Sequence, residues 1–185
     1  MKAQVTYFDS IKDDNTLATF ELAKARAKEQ NIRRIVLAST TGATAQRAMD
    51  FFEGSGISLV VVPHQYGFSA DTNRFPAELV KKLEEHGHRV HFGTMLFHTD
   101  RLFGCDTPTV VANFLRCFCE GVKVCYEIAL MAADAGLIEP EERIIAIAGT
   151  GRNSDTALLM TAATSRKLEN LRINEILCKP YDRSR

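Results

Sequence analysis

The chain has 185 residues, 45% of them hydrophobic and 25% charged, and its 23 basic and 23 acidic side chains cancel. This length and composition predict one globular domain over residues 1–185, and the neutral balance excludes nucleic acid or an anionic membrane surface as a partner attracted by bulk charge. No apolar run approaches the roughly 18 residues that span a bilayer, and no signal peptide is recognisable. We therefore expect a cytoplasmic protein, which an odd count of 5 cysteines fits.

Strand-like and helix-like segments alternate along the chain. Strands are predicted at Gln4–Phe8, Arg34–Ala38, Ser58–Pro63, Arg89–Gly93 and Arg143–Ala148. Helices are predicted at Thr16–Gln30, Thr44–Glu53, Pro76–His86 and Pro108–Gly136. After the last strand, the residues of "TALLMTAA" (156–163) favour a further helix. The alternation is typical of βαβ units and predicts an α/β fold whose mainly parallel sheet is covered on both faces.

The second strand runs into a loop that is rich in hydroxyl groups. The loop contains Ser39, Thr40, Thr41, Gly42 and Thr44, and a helix follows at once. Glycine permits a tight turn, and the first amides of a helix lack intrahelical partners, so that the loop suits a phosphate. It lacks the lysine of a P-loop, so triphosphate chemistry is not indicated. The alternative is a capped helix that binds nothing.

The third strand ends at "HQYGF" (64–68). His64 and Phe68 can flank a ring system, whereas a lone histidine is also common as a structural group. The histidines and cysteines lack metal-ligand spacing, so no metal site is expected. No nucleophile–base arrangement is specified either, and the catalytic residues stay unknown.

The helix predicted at Pro108–Gly136 is apolar around most of its circumference. Its polar residues form one narrow stripe, which contains Asn113, Arg116, Glu120, Lys123 and Glu127. Members of the stripe that are four residues apart can form ion pairs. A helix with so little polar surface either packs deeply within its own chain or is buried against a second subunit. Both alternatives are open, and the second makes a homo-oligomer through this helix possible.

A second glycine-rich loop follows the last predicted strand. It reads "GTGRNSDT" (149–156), and Ser154 stands where a G-x-G-x-x-G motif has its third glycine, which disfavours a dinucleotide site. Its candidate binding residues are Gly149, Thr150, Gly151, Arg152 and Asp155. Arg152 and Asp155 suit hydrogen bonds to a ligand or, equally, a structural turn.

Several stretches together resemble a known family. The segment "RRIVLASTTGATAQRAMD" (33–50) is similar to the strand–loop–helix of the pyruvate kinase C-terminal (allosteric) domain. Stand-alone prokaryotic proteins built on that domain also resemble this chain at "HQYGF" (64–68), "GVKVCYEIALMAADAGLI" (121–138) and "IAIAGTGRNSDTALL" (145–159). On these motifs the chain is identified as a member of that pyruvate kinase alpha/beta domain-like family.

The resemblance implies a three-layer α/β/α sandwich with a mostly parallel mixed sheet. In such a fold the segment after Thr156 enters as a strand, and "LRINEILCKP" (171–180) forms the last one. The catalytic barrel of pyruvate kinase has no counterpart here, so kinase activity is not implied. Members of the family resemble binders of flavin mononucleotide (FMN).

The implied ligand would be held by both loops. Its phosphate would lie on Ser39–Thr44, and its ring would lie near His64, Gly67, Phe68, Thr94 and the loop Gly149–Asp155. Where relatives carry an "ALSG"-like stretch, this chain has Met95–Gly104, which would cover the ligand or pack as a lid. Two other functions stay open: an enzyme acting on a phosphorylated metabolite with His64, Asp155 and His98 as acid–base groups, or a ligand-sensing regulatory protein.

Overall fold

The computed structural model describes residues 3–68 and 72–182 of the chain. Its strands are β1 (Thr6–Phe8), β2 (Arg34–Ala38), β3 (Ser58–Val62), β4 (Arg89–Val90), β5 (Arg143–Ala148), β6 (Thr156–Thr161) and β7 (Arg172–Pro180). Its helices are α1 (Thr16–Glu29), α2 (Ala43–Phe52), α3 (Ala77–Glu85), α4 (Asp100–Phe103), α5 (Thr107–Arg116) and α6 (Glu120–Asp134). Two 3₁₀ turns lie at Leu96–His98 and Ser165–Asn170.

The seven strands form one mixed sheet in the order β1-β7-β6-β5-β2-β3-β4. Every neighbouring pair is parallel except the two pairs that involve β6, which is antiparallel to both β5 and β7. From β2 the chain continues to β3 on one side, whereas from β5 it continues to β6 on the other. The carboxyl ends of β2 and β5 therefore meet at a topological switch point, where open α/β sheets bind ligands.

Alternating side chains of the strands build two hydrophobic cores, one on each face of the sheet. Val36, Val60 and Ala146 pack on one face against α6. Ile35, Leu59 and Ile145, their neighbours in sequence, pack on the other face against α1, α2 and α3. Because both faces are buried, these strands read as continuous runs of Val, Ile and Leu. The predicted three-layer α/β/α fold with a mostly parallel mixed sheet is confirmed.

Residues 156–161 form a strand, as the family resemblance implied, and the helix favoured by their apolar run is wrong. The strand is sandwiched between β5 and β7 and is buried along almost its whole length. A strand buried on both faces has no alternation of polar and apolar residues, so its sequence cannot be distinguished from a buried helix by periodicity.

The single helix predicted at Pro108–Gly136 is two helices, α5 and α6, separated by Cys117–Cys119. Cys119 is extended, and its sulfur accepts a hydrogen bond from the amide of Val122 at 3.4 Å. Cys119 is therefore the N-cap of α6, and its extended backbone interrupts the helix that was predicted to run through it. No proline or glycine marks the break, and for this reason the sequence pattern runs through it.

The sequence left two alternatives for this segment, deep packing within the chain or burial against a second subunit, and the two helices differ in this respect. α6 packs deeply against the sheet, and eleven of its fifteen residues are buried. α5, by contrast, buries only Ala112 and Leu115, while Phe114 is 67% exposed.

Within residues 3–68 and 72–182, no helix has the length and apolar content that crossing a bilayer requires.

Candidate ligand-binding cleft

A cleft of about 790 Å³ opens at the carboxyl ends of β2, β3 and β5. This volume lies within the roughly 300–1,000 Å³ of typical small-molecule sites. One wall is formed by the loop between β2 and α2, and another is formed by α6. The helices α2 and α6 pack on opposite faces of the sheet. The β5–β6 loop, the segment after β3 and the segment after β4 complete the lining.

The β2–α2 loop presents hydroxyl groups and a helix N-terminus to the cleft. Ser39, Thr40, Thr41 and Thr44 all border it. The hydroxyl of Ser39 accepts a hydrogen bond from the amide of Ala45 at 3.1 Å and so fixes the loop to the start of α2. The first amides of a helix have no intrahelical acceptor and attract an anion. This arrangement can hold a phosphate.

Gly42 supports that loop from behind without bordering the cleft. Its backbone is left-handed, with φ of +87°, and it immediately precedes α2. A Cβ at this position would lie 2.6 Å from Cδ2 of Leu79 and 3.1 Å from Cδ of Pro76. Both the conformation and the space therefore require glycine.

The β5–β6 loop is anchored at its end and exposed in its middle. The amide of Ser154 donates to Oγ1 of Thr16 at 3.0 Å, and the hydroxyl of Thr19 donates to the carbonyl of Ser154 at 3.2 Å. Gly149, Gly151, Arg152, Asn153 and Ser154 border the cleft. Arg152 is exposed and can reach a bound anion.

Asp155 is a structural residue of this loop. It is 2% exposed, and both carboxylate oxygens accept hydrogen bonds, from the amide of Thr150 at 2.9 Å and from the hydroxyl of Thr156 at 2.7 Å. Burial raises the pKa of Asp155, although these two hydrogen bonds oppose the rise. Neither Asp155 nor Thr150 is among the described residues that border the cleft. The carboxylate holds the turn closed and is not directed at a ligand.

Aromatic rings form the part of the cleft beyond β3. Phe68 packs edge-on against His64, with centroids 4.6 Å apart, and against His98, with centroids 5.1 Å apart. Burial lowers the pKa of both imidazoles. The nearby His98 lowers the pKa of His64 further, and the nearby Lys123 lowers the pKa of His98 further, so both histidines favour the neutral form. Nδ1 of His64 is buried and has no hydrogen-bond partner among the described residues.

The segment Met95–Gly104 contributes its first half to the cleft. Met95 and His98 border the cleft, while Phe97 is buried in a small cluster against α5. Leu102 and Phe103, in the second half, are about 70% exposed. Gly67 and Thr94, which were predicted to contact the ligand, are exposed and do not border the cleft among the described residues.

The α6 wall supplies site residues that the sequence analysis did not identify. Lys123 and Glu127 are each 2% exposed, form an ion pair at 2.7 Å and border the cleft. The polar stripe is therefore not a water-facing surface at these positions, although both predicted ion pairs are present, the other joining Arg116 and Glu120 at 2.7 Å.

Cations outnumber anions around the cleft. Arg116 and Lys123 are each paired with a glutamate of α6. Arg74 and Arg152 also border the cleft, and neither forms an ion pair within the part of the chain that the structure describes. The surplus positive charge favours an anionic ligand.

Comparisons with known proteins identify one family and several solved structures to which this chain is similar. The family described as pyruvate kinase, alpha/beta domain, matches residues 18–160. Among solved structures, a pyruvate kinase from Cryptosporidium parvum is 16% identical with a TM-score of 0.43, and the match covers 79% of this chain and 22% of that one. A structure of pyruvate kinase from the same organism in complex with ADP is 17% identical with a TM-score of 0.42, covering 79% and 23%. This chain spans less than a quarter of the length of those kinases.

Proposed function

This chain belongs to the pyruvate kinase, alpha/beta domain, family, and we propose that its cleft binds a phosphate-bearing small molecule, with FMN as the expected ligand. The observation that carries the proposal is the convergence of a hydroxyl-lined helix N-terminus and an aromatic pocket in one cleft of about 790 Å³. A phosphate suits the first, and a planar ring suits the second.

The residues at the phosphate end have the chemistry that the group requires. The start of α2 offers backbone amides, and Thr40, Thr41 and Thr44 offer hydroxyl donors. Arg74 and Arg152 border the same cleft, and guanidinium groups bind phosphate oxygens in pairs of parallel hydrogen bonds. Among the described residues, no ion pair engages Arg74 or Arg152, so both are available to an anion.

The residues at the ring end fit a flavin as well. Met95, Ile128, Met131 and Val62 give this part of the cleft apolar surface, and Phe68 adds an aromatic one. The unpartnered Nδ1 of His64 is a polar atom for which a ligand group would supply the missing hydrogen bond. A bound flavin would supply redox chemistry. The residues of this chain would bind and orient it.

The proposal predicts that Gly42→Val abolishes FMN binding. Valine is strained at φ of +87°, and its side chain would collide with Leu79 and Pro76, so the start of α2 would be displaced. We expect the dissociation constant of FMN, measured by quenching of flavin fluorescence, to rise at least about tenfold, or about 1.4 kcal/mol.

Gly56→Val is the matched control for this prediction. Gly56 has φ of +75°, nothing lies within 4 Å of its added Cβ, and it is located at the other end of α2. It therefore imposes a similar backbone strain and leaves the ligand loop in place. Equal FMN affinity in wild type and the Gly42 variant would refute the phosphate assignment, and a colourless wild type that takes up no FMN would refute the ligand.

We also propose that the exposed side of α5 is the interface of a homo-oligomer. Val110 and Phe114 of α5 and Phe118, two residues after its end, are spaced four residues apart and are each at least 50% exposed. Leu102 and Phe103 of α4, which contacts α5, are exposed as well. Exposed apolar patches of this kind mark interaction surfaces. The neutral net charge of the chain adds little repulsion between copies.

Light scattering coupled to gel filtration tests this interface. We expect the wild type to have at least twice the chain mass of 20.6 kDa, and Phe114→Glu to have the mass of one chain because a charge would be buried at the contact. Leu168→Glu, at a 42% exposed position outside α5, is the control and should leave the mass unchanged. A wild type that is monomeric at every concentration would exclude the interface.

All five cysteines are unpaired, which is usual for proteins of reducing compartments. Two of them, Cys105 and Cys117, are exposed and would be susceptible to oxidation in an oxidising compartment. The unpaired cysteines support the cytoplasm as the proposed location.

A further inference from the structure

Lys123 is a buried cation that borders the cleft. Its ammonium group donates hydrogen bonds to Oε2 of Glu127 at 2.7 Å and to Nε2 of His98 at 3.0 Å. The other oxygen of Glu127 accepts from the amide of Phe97 at 2.8 Å. Lys123 is thereby held in one position, between a carboxylate on its own helix and an imidazole on the segment after β4.

A count of donors shows what this cluster leaves unused. A lysine ammonium has three N–H groups, and the described residues accept two of them. Because Nε2 of His98 is an acceptor here, that imidazole is neutral and carries its proton on Nδ1. Lys123 borders the cleft, and its third N–H has no hydrogen-bond acceptor among the described residues. The ring of Phe97, whose centroid lies 5.7 Å from Nζ, offers this ammonium group only a weak cation–π contact.

A second unused polar atom lies in the same part of the cleft. Nδ1 of His64 is buried without a partner among the described residues. Phe68 packs against the imidazoles of both His64 and His98. Lys123 contacts His98, and His98 and His64 both contact Phe68, so a cationic donor and an imidazole nitrogen border the same part of the cleft. This pattern complements a planar ligand with polar atoms at its edge.

A purely structural role explains only part of this geometry. Glu127 ties the segment at Phe97 to α6, and the pair with Lys123 compensates the buried carboxylate. Neither contact accounts for the third N–H of Lys123 or for Nδ1 of His64.

We propose that Lys123 and His64 form a second subsite, which binds the polar edge of a planar ring that carries carbonyl acceptors. Glu127 and His98 are positioning residues that hold the ammonium group. This inference rests on the proposed function and names the part of the same ligand that contacts the α6 wall, on the opposite face of the sheet from the phosphate loop. The two subsites would divide the ligand between them.

The test uses ligands that contain only one of the two parts. Riboflavin has the ring without the phosphate, inorganic phosphate lacks the ring, and FMN has both. The variant is Lys123→Met/Glu127→Gln, which removes both charges together and retains an acceptor for the amide of Phe97. We expect riboflavin and FMN to bind about tenfold more weakly, the loss of roughly one charge-assisted hydrogen bond, and phosphate to bind with unchanged affinity by calorimetry.

The matched control is Lys81→Met/Glu78→Gln on α3. This pair is exposed and three residues apart, with its atoms at 3.6 Å, and neither residue borders the cleft. It makes the same chemical changes and should leave all three affinities unchanged. His64→Phe tests the second half of the subsite: it retains an aromatic ring, and we expect weaker binding of riboflavin and FMN but not of phosphate.

Each outcome has a separate meaning. Weaker binding of the two flavins alone supports the subsite. Unchanged flavin affinity in Lys123→Met/Glu127→Gln and in His64→Phe refutes it and leaves the proposed function intact. An equal loss of all three ligands shows that the cluster only maintains the cleft, which also refutes the subsite. A wild type that binds neither flavin refutes FMN as the ligand, and the subsite with it, whereas phosphate binding by the same protein would leave the phosphate loop supported. If the double variant does not fold, His64→Phe decides the question alone.

Discussion

Lys123→Met is expected to lower the free energy of unfolding by about 3–5 kcal/mol, the usual consequence of removing one partner of a buried ion pair. Lys123 and Glu127 are each 2% exposed, and the substitution leaves a carboxylate buried without its cation. Since domains of this kind are stable by only about 5–15 kcal/mol, the loss would be a large fraction of the total. Denaturation by urea, followed by circular dichroism, measures it.

The double substitution Lys123→Met/Glu127→Gln is the control for this first prediction. With both charges removed, no uncompensated carboxylate remains, and we expect most of the stability to return. The amide of Phe97 retains an acceptor in the glutamine. If the single substitution changes the free energy of unfolding by less than about 1 kcal/mol, the pair is solvated in solution and the buried environment described for it is wrong.

Gly149→Ala is expected to open the β5–β6 turn and to abolish ligand binding. The added Cβ would lie 1.9 Å from the carbonyl oxygen of Asn153 and 2.9 Å from Cα of Ser154. Both are backbone atoms, so the turn itself must move. We expect a loss of about 2–3 kcal/mol in the free energy of unfolding and an FMN dissociation constant raised at least about tenfold.

Gly151→Ala separates the two possible causes of that effect. Gly151 has φ of +79°, and nothing lies within 4 Å of an added Cβ, so alanine there introduces backbone strain alone. Its expected cost is about 1 kcal/mol in the free energy of unfolding, and it leaves the backbone of Asn153 and Ser154 in place. Equal losses of stability in the two variants would contradict the explanation, because a steric conflict with Asn153 would then add nothing.

The secondary-structure elements that depend on a local sequence pattern could be predicted from the sequence. β2 and β5 have their predicted bounds because a short Val- and Ile-rich run between polar residues is a strong signal for a buried strand. The break between α5 and α6 was not accessible, because it depends on the sulfur of Cys119 capping the second helix. That contact replaces the glycine or proline by which a sequence usually announces a helix boundary.

The candidate site likewise has parts that local sequence patterns predict and parts that they do not. The loops at Ser39–Thr44 and Gly149–Ser154 were predicted because their composition is local and because parallel strands end at one edge of a sheet. The α6 wall was missed because a polar stripe on a helix predicts only that something polar lies opposite. Whether that is water or a cleft depends on Met95 and His98, which are distant in sequence, and no local pattern contains that information.

The anchoring of the β5–β6 loop determines which of its residues can be exchanged. Ser154 is fixed to α1 through Thr16 and Thr19, and Asp155 closes the turn through Thr150, so these residues hold the loop in its conformation. Arg152 is exposed in between and forms none of these contacts. Arg152 can therefore be exchanged for another residue, and the charge of the cleft changed, without a penalty in folding.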